Sequence, residues 1–471
     1  MMIVWEKWRE KSRYQEVATV CFPLVMSMAA VTVMEFTDRI FLSNYSVDAI
    51  AAALPAGIAA LLVMSFFGGV AGYTSVFIAQ YCGAGAYERI GSTLWQGVYF
   101  SIFSGVLVAV FSSLIASPLF TLAGHAPEVQ HLEQIYFKIL CWGSVLHLGN
   151  HALSAFFVGR GITRAVMVIN GLGMAFNIPL DYVLINGVWV FPELGIAGAA
   201  IATVASWGFT SLLFSLLIFT RLNQKKYFVL NLAFDSNLFT RLMRFGVPGA
   251  LQISIDFFAF TFFVFMVGRI GKNELAVSNV VLSINSLAFM PAMGFSYGIS
   301  TLVGQALGRG KPEEARHATW SAIHILMAYT FAIDSLFVFA PDQVLSLFIS
   351  SDGTMGDYGS AMDTGRNLLQ IVAVYVFMDA LYMSFSGVLK GAGDTNFIMW
   401  SVALVSLFTM IFPVYIGIEI FHMGIYYAWL CVLLLVAALF IVSFLRYHQK
   451  KWQKMIVVEA EIVPVQGGCQ N

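Results

Sequence analysis

One unit of this sequence occurs twice, with its two copies a constant 225 positions apart. The paired residues are Pro23 and Pro248, Gln80 and Gln305, Gly83 and Gly308, Gly85 and Gly310, and Trp95 and Trp320. A constant offset over so long a stretch indicates duplication of one unit rather than chance similarity. The chain therefore has to fold as two related halves.

Both copies are too apolar for a soluble domain. The chain is 59% hydrophobic and only 11% charged, whereas soluble domains carry about 25% charged residues. Apolar stretches of about 20 residues, the length of a membrane-crossing helix, recur along it. We predict twelve helices, at about 17–41, 50–76, 94–117, 133–157, 163–186, 195–219, 240–268, 275–302, 318–340, 366–388, 396–417 and 423–446. The predicted fold is an all-α membrane protein.

The duplication divides these helices into two six-helix bundles. We expect a cytoplasmic N-terminal segment 1–16, an N-lobe 17–220, a cytoplasmic linker 221–239, a C-lobe 240–446 and a cytoplasmic tail 447–471. Because each copy has an even number of helices, both copies point the same way. A pseudo-two-fold axis along the membrane normal should therefore relate them. Duplicated membrane domains of this kind are typical of transporters.

Lysine and arginine residues predict the orientation in the membrane. Only five of the 25 basic residues, Arg39, Lys138, Arg269, Lys272 and Arg366, lie on the side away from the two termini. Lys390 is assigned to the basic side, in the loop between helices 10 and 11. The positive-inside rule then puts both termini in the cytoplasm.

Several other classes of function are disfavoured. The net charge of −1 offers no basic surface for nucleic acid. The five cysteines are scattered and make no disulfide framework or metal-binding spacing. We find no nucleotide-binding motif and no catalytic motif of a metalloprotease or serine hydrolase. Energy for transport must therefore come from an ion gradient or a partner protein.

Acidic residues in the apolar helices are the best candidates for function, because ionisable groups are expensive inside a membrane. Asp38 and Asp181 belong to the outer half of the first bundle, Asn177 shares a helix face with Asp181, and Thr203 is a nearby hydroxyl. Such oxygen-rich groups suit a small hard cation or an exchangeable proton. Glu35, one turn from Asp38, is either a co-ligand or a helper in the same cavity. The alternatives are an interfacial ion pair between Asp38 and Arg39, and exposure of Asp181 to water.

The second half has its own pair of acids. Asp256 lies 12 residues above Arg244 and Asp379 lies 11 residues above Lys390, so both are about 16–18 Å deep at a rise of 1.5 Å per residue. Neither has an obvious basic partner within its own helix. Two acids at one depth can bind an organic cation, a metal ion or a proton, although a purely structural role is the alternative.

These residues together resemble the multidrug and toxic compound extrusion (MATE) family, NorM-like branch, over about residues 15–450. The matching segments are Asp38, Gln80 to Gly85, Gly159 to Thr163, Asn177 to Asp181, Gly195 to Thr203, Pro248 to Asp256, Gln305 to Gly310, Asp379, and Gly387 to Thr395. The NorM-like branch usually has Glu where this chain has Asp256.

The resemblance implies a secondary active antiporter that exports organic cations in exchange for Na⁺ or H⁺, and not an enzyme. It implies a cation site at Asp38, Asn177, Asp181 and Thr203 in the N-lobe, and functional acids at Asp256 and Asp379 in the C-lobe. We expect no cofactor and no metal beyond the transported ion. The expected partners are small organic cations, the coupling cation and the lipid bilayer, with no nucleotide or nucleic acid. We expect a monomer in a bacterial inner membrane.

Three other functions compete with this one. An intramembrane enzyme would need a clustered nucleophile, base or metal set, and we find none in the sequence. A flippase or exporter of lipid-linked saccharides has a related architecture, but such cavities tend to be cationic, and the acids here lie inside. A channel would need a continuous polar pore.

Overall fold

The fold is helical throughout the part of the chain that the structure describes. It is a computed structural model that describes residues 12–188, 190–347, 358–459 and 461–462 of the 471 residues. Across these ranges there are helices and turns but no β-strand. The predicted all-α fold class is confirmed.

Long helices follow one another with short connections. The first half of the chain forms α1 Tyr14–Tyr45, α2 Val47–Gly72, α3 Thr74–Ala84, α4 Glu88–Ala123, α5 Pro127–Trp142, α6 Ser144–Gly159, α7 Thr163–Asn186, α8 Ile196–Ile218 and α9 Arg221–Tyr227. The second half forms α10 Ser236–Ile270, α11 Lys272–Gly308, α12 Pro312–Phe339, α13 Pro341–Leu345, α14 Tyr358–Ala392, α15 Thr395–Ser406, a π-helical turn Leu407–Ile411, α16 Phe412–Glu419, α17 Ile425–His448 and a 3₁₀ turn Lys451–Lys454.

Eleven helical segments of the described chain are long and apolar enough to cross a membrane. The predicted fourth crossing, 133–157, is missing from this set because it is built from α5 and α6, which have 16 residues each. Gly143 separates them, but its N–H donates to the Ile139 carbonyl at 3.1 Å and its own carbonyl accepts from His147 at 3.2 Å. The break is thus a single residue within a continuing run of helical hydrogen bonds.

The chain divides into two compact units. We call Met26–Ala250, Gly304–Gly310 and the tail from Ile456 the N-terminal unit. The C-terminal unit comprises residues up to Val25, Leu251–Val303 and Lys311–Met455.

The repeated glycines mark a close helix contact within the N-terminal unit. A Cβ on Gly83 would lie 2.0 Å from the carbonyl oxygen of Gln305, and one on Gly308 would lie 2.1 Å from that of Gln80. The backbones of α3 and α11 therefore contact each other near their C-terminal ends. The contact is symmetric, because the repeated glutamine and glycine of each copy meet those of the other copy. The helix predicted from the sequence ended at about residue 76, but α3 continues to Ala84 and ends at Gly85, whose φ is 77°.

A second close contact, between α7 and α8, holds the polar residues of the N-terminal unit in place. A Cβ on Gly198 would lie 2.5 Å from the carbonyl oxygen of Leu184. A Cβ on Gly173 would lie 2.5 Å from Cγ2 of Thr210. Small residues let membrane helices approach closely, so the faces of α7 and α8 have a fixed register.

Candidate functional site

Four predicted site residues of the N-terminal unit come together in the structure. Asp38 lies on α1, Asn177 and Asp181 lie on α7, and Thr203 lies on α8. Asn177 and Asp181 are fully buried, and Asp38 and Thr203 are 5% and 7% exposed. The Thr203 hydroxyl donates to the Asp38 carboxylate at 3.3 Å.

The two carboxyl groups of this cluster face each other. Asp38 and Asp181 lie within hydrogen-bonding reach. Oδ1 of Asp38, both carboxylate oxygens of Asp181 and both polar side-chain atoms of Asn177 are buried without a hydrogen-bond partner among the described residues. Two ionised carboxylates offer only acceptors, so they bond to each other only when one carries a proton. Buried charges without partners are costly, so a proton or another positive charge in this cluster would stabilise it.

The local sequence of α7 presents these groups. Asn177 and Asp181 are four residues apart and share one helix face. Pro179 lies between them inside the helix. Because proline has no backbone N–H, it leaves the carbonyl of Ala175 without its intrahelical donor. A backbone oxygen is thus released one to two turns from the acidic side chain.

Two neighbours differ from what the sequence indicated. Tyr136 of α5 is buried, and the charges of Asp38 and Asp181 act on its hydroxyl. Sequence analysis missed Tyr136, because nothing in an apolar helix indicates which of its residues faces an acid on another helix.

Glu35 is exposed and is not enclosed with Asp38 and Asp181. Arg39 is also exposed, whereas Asp38 is buried. In the described chain, no three His, Cys, Asp or Glu residues are grouped as a metal site would require.

The second pair of acids also forms one cluster, within the C-terminal unit. Asp256 on α10 is half-buried, Asp379 on α14 is 5% exposed, and their charges act on each other. Gln252, one turn before Asp256, donates an amide hydrogen bond to its carboxylate. Oε1 of Gln252 is buried without a hydrogen-bond partner in the described ranges.

Two tyrosine hydroxyls and an asparagine lie close to this second cluster. Tyr375, Asp379 and Tyr382 follow one another at helical spacing on one face of α14. Both tyrosines are buried and feel the charges of the two acids. Asn285 of α11 lies beside Tyr375. Neither the tyrosines nor Asn285 was singled out from the sequence, since each is unremarkable until the helices are packed.

Lys390 departs from its predicted place. It was assigned to a loop, but α14 continues to Ala392, so Lys390 lies within the helix. It is half-buried, and its charge acts on Asp256. The basic counter-charge of Asp256 therefore comes from another helix, which the inspection of single helices could not reveal.

Comparison with known proteins decides the family. The MatE family model matches residues 23–183 and again residues 248–416. The chain belongs to the MatE family. Both halves of the repeat are thus copies of the MatE unit, and the resemblance noted from the sequence is confirmed.

Related proteins and solved structures agree with this assignment. The chain is 26% identical to the probable multidrug resistance protein NorM of Thermotoga maritima, over 83% of this chain and 82% of that protein. It is 25% identical to the multidrug resistance protein NorM of Burkholderia vietnamiensis, over 81% and 82%. A multidrug resistance MATE family transporter in an outward-facing conformation matches the fold with a TM-score of 0.85 and 21% identity, over 94% of this chain and 97% of that one. A MOP superfamily transporter from Pyrococcus furiosus matches with a TM-score of 0.84 and 22% identity, over 94% and 97%.

Membership in the MatE family settles the broad class. The chain is an integral membrane transporter and not an enzyme.

Proposed function

We propose that this protein is a secondary active multidrug efflux antiporter, which exports organic cations in exchange for Na⁺ or H⁺ by alternating access. The observation that carries the proposal is the buried pair of facing carboxyl groups, Asp38 and Asp181, with unpartnered oxygens. The names of the NorM relatives support multidrug efflux as the task.

The pair would hold the coupling cation. If the cation is Na⁺, the oxygens of Asp38, Asn177, Asp181 and Thr203 provide the hard ligands that such an ion prefers. If it is H⁺, one carboxyl group takes the proton and donates a hydrogen bond to the other. In both cases, loading removes the cost of an uncompensated charge, and unloading restores it.

The cluster of the C-terminal unit would take the organic cation. Asp256 and Asp379 provide negative charge, and the neighbouring Tyr375 and Tyr382 provide aromatic faces, which attract cations. Lys390 supplies a positive charge that a bound cation would displace from Asp256. Antiport then requires that the coupling ion and the organic cation favour different states of the transporter.

The rival reading as a lipid-linked saccharide flippase is disfavoured by the charges of the two clusters. Each cluster is built on two carboxylates, with the charge of Arg39 acting on Asp38 in the first and that of Lys390 acting on Asp256 in the second. A phosphate-bearing cargo would meet two carboxylates and at most one basic side chain in either cluster.

The wider setting follows the sequence-based expectations. We place the transporter in a bacterial inner membrane with both termini in the cytoplasm. The N-lobe 17–220 and the C-lobe 240–446 would rock against each other, and a monomer would be sufficient for transport.

Ethidium efflux from proteoliposomes tests the proposal. The purified protein is reconstituted, and efflux is recorded under a Na⁺ gradient alone and then under a pH gradient alone. We expect one of the two gradients to drive saturable efflux against the concentration gradient of ethidium. Efflux that neither gradient accelerates would refute ion-coupled antiport, and non-saturable flux would indicate a channel.

A further inference from the structure

The chain after the last membrane helix has a docking site in the N-terminal unit. Val457 and Val458 are 1% and 3% exposed. They pack into a hydrophobic cluster that includes Phe77 of α3 and Leu242 of α10. Because both valines are almost completely buried, this part of the tail is packed against the N-terminal unit.

Polar side chains of the N-terminal unit bind both the backbone and a side chain of this segment. The side-chain oxygen Oε1 of Gln80 accepts a hydrogen bond from the backbone N–H of Val457 at 2.8 Å, and Arg241 donates to the carbonyl oxygen of Val457. Glu459 forms an ion pair with Arg241 at 2.7 Å and accepts a hydrogen bond from the Tyr81 hydroxyl at 2.7 Å. Gln80 is one of the repeated residues, and its fully buried amide holds the tail.

The residues just before this segment are anchored in the C-terminal unit. Trp452 is 1% exposed and stacks on Tyr447 of α17, with ring centroids 5.3 Å apart and planes at 12°. Its indole N–H donates to the Tyr447 carbonyl at 3.0 Å. The 3₁₀ turn that carries Trp452 packs against α14 and α17.

A short stretch of chain is thus held at both ends, with Trp452 packed in the C-terminal unit and Val457 packed in the N-terminal unit. Trp452 and Val457 are five positions apart, and an extended chain spans at most about 3.6 Å per residue, or about 18 Å here. The two anchor points cannot separate further while both hold.

We propose that residues 456–459 are a tethering segment that docks at the site formed by Gln80, Tyr81 and Arg241, and that this segment undocks in each transport cycle. The undocking rests on the proposed alternating access, whereas the docking does not. The N-terminal anchor is the one that should release. Its ion pair is partly exposed, with side chains 25% and 32% accessible, and such pairs hold weakly. Val457 and Val458 are as well covered as Trp452, but the stacking and hydrogen bond of Trp452 are made to Tyr447, five residues earlier in the chain, so this local anchor does not depend on docking to the N-terminal unit.

Cross-linking tests the proposal. In a chain whose five cysteines are replaced by serine or alanine, the double variant Arg241→Cys/Glu459→Cys is treated with a bis-methanethiosulfonate, which dithiothreitol cleaves. We expect an intramolecular cross-link, at least tenfold slower ethidium efflux, and full recovery after cleavage. The matched control is Arg366→Cys/Asp342→Cys, an ion pair of 2.9 Å inside the C-terminal unit, where the cross-link should leave efflux intact.

Each outcome is decisive. If no cross-link forms, the segment is not docked. If the cross-linked protein transports at the uncross-linked rate, undocking is not part of the cycle. Efflux by the untreated variant reports the proposed antiport separately, so the two proposals fail in different measurements.

A labelling experiment covers the case in which the double variant is inactive before treatment. Val458→Cys, buried at rest, should react slowly with a maleimide and at least fivefold faster while ethidium and the driving gradient are both present. The exposed Lys454→Cys should react at one rate in both conditions. Equal labelling of Val458→Cys with and without turnover would overturn the proposal.

Discussion

At the scale of single residues, the decisive feature is charge held away from water. Asp38 and Asp181 are nearly or fully buried and close to each other. A cation or proton between them would offset the cost of burying two negative charges, and this is the basis on which we propose that the pair exchanges one positive species for another.

Neutralising either acid should uncouple transport. In Asp38→Asn and Asp181→Asn the side chain keeps its size but loses the negative charge that we propose holds the coupling ion. We expect gradient-driven ethidium efflux in proteoliposomes to fall at least tenfold in each variant, at matched protein amounts. Glu35→Gln is the control, because this neighbouring acid is exposed, and its efflux should stay within twofold of the parent. Full activity in both Asn variants would refute the ion site.

The acids of the C-terminal unit should distinguish cargo by charge. Asp379→Asn should weaken efflux of a monovalent cation at least fivefold while leaving that of a neutral compound within twofold, since only the cation loses an electrostatic partner. Asp363→Asn, on the same helix but 73% exposed, should affect neither. Competition assays with both cargoes give the comparison, and an equal loss for both would argue against direct charge pairing.

At the scale of helices, the sequence predicted the apolar cores of the membrane helices well and their ends poorly. Hydropathy identifies the part of a helix that lies in lipid, but α3 and α11 continue beyond it through Gln80 and Gln305. Partnerships between helices were harder still. Depth along a helix follows from the rise per residue, which placed Asp38 and Asp181 together. Helix rotation does not follow, and it brings Tyr136 and Lys390 to the acids.

The contact between α3 and α11 should depend on its glycines. A methyl group at Gly83 or Gly308 would lie 2.0 or 2.1 Å from a backbone oxygen, well inside van der Waals contact, so the helices would have to move apart. We expect Gly83→Ala and Gly308→Ala to cost about 1–3 kcal/mol of stability, as overpacking typically does, and to lower Tm in detergent. Gly149→Ala is the control, because a Cβ there has nothing within 4 Å. Unchanged Tm in all three variants would contradict the close packing.

At the scale of the whole molecule, the duplication constrains the topology. The MatE match begins at residue 23 and again at residue 248, which repeats the offset of the paired residues. Two copies that point the same way need an even number of crossings in each. Among the described residues, eleven segments qualify by length and apolarity, so an even count depends on whether α5 and α6 together cross once.

Cysteine accessibility in intact cells settles the crossing of α5 and α6. Glu128, at the start of α5, and Arg164, in the first turn of α7, are both exposed. In single-cysteine variants of a cysteine-free chain, we expect Glu128→Cys to react with a membrane-impermeant maleimide from outside. Arg164→Cys should react only after permeabilisation, because the positive-inside rule puts that loop in the cytoplasm. Lys225→Cys, in the predicted linker, should behave like Arg164→Cys and serves as the cytoplasmic reference. If Glu128→Cys and Arg164→Cys reacted from the same side, α5 and α6 would not cross, and the two MatE copies would be inverted relative to each other instead of parallel.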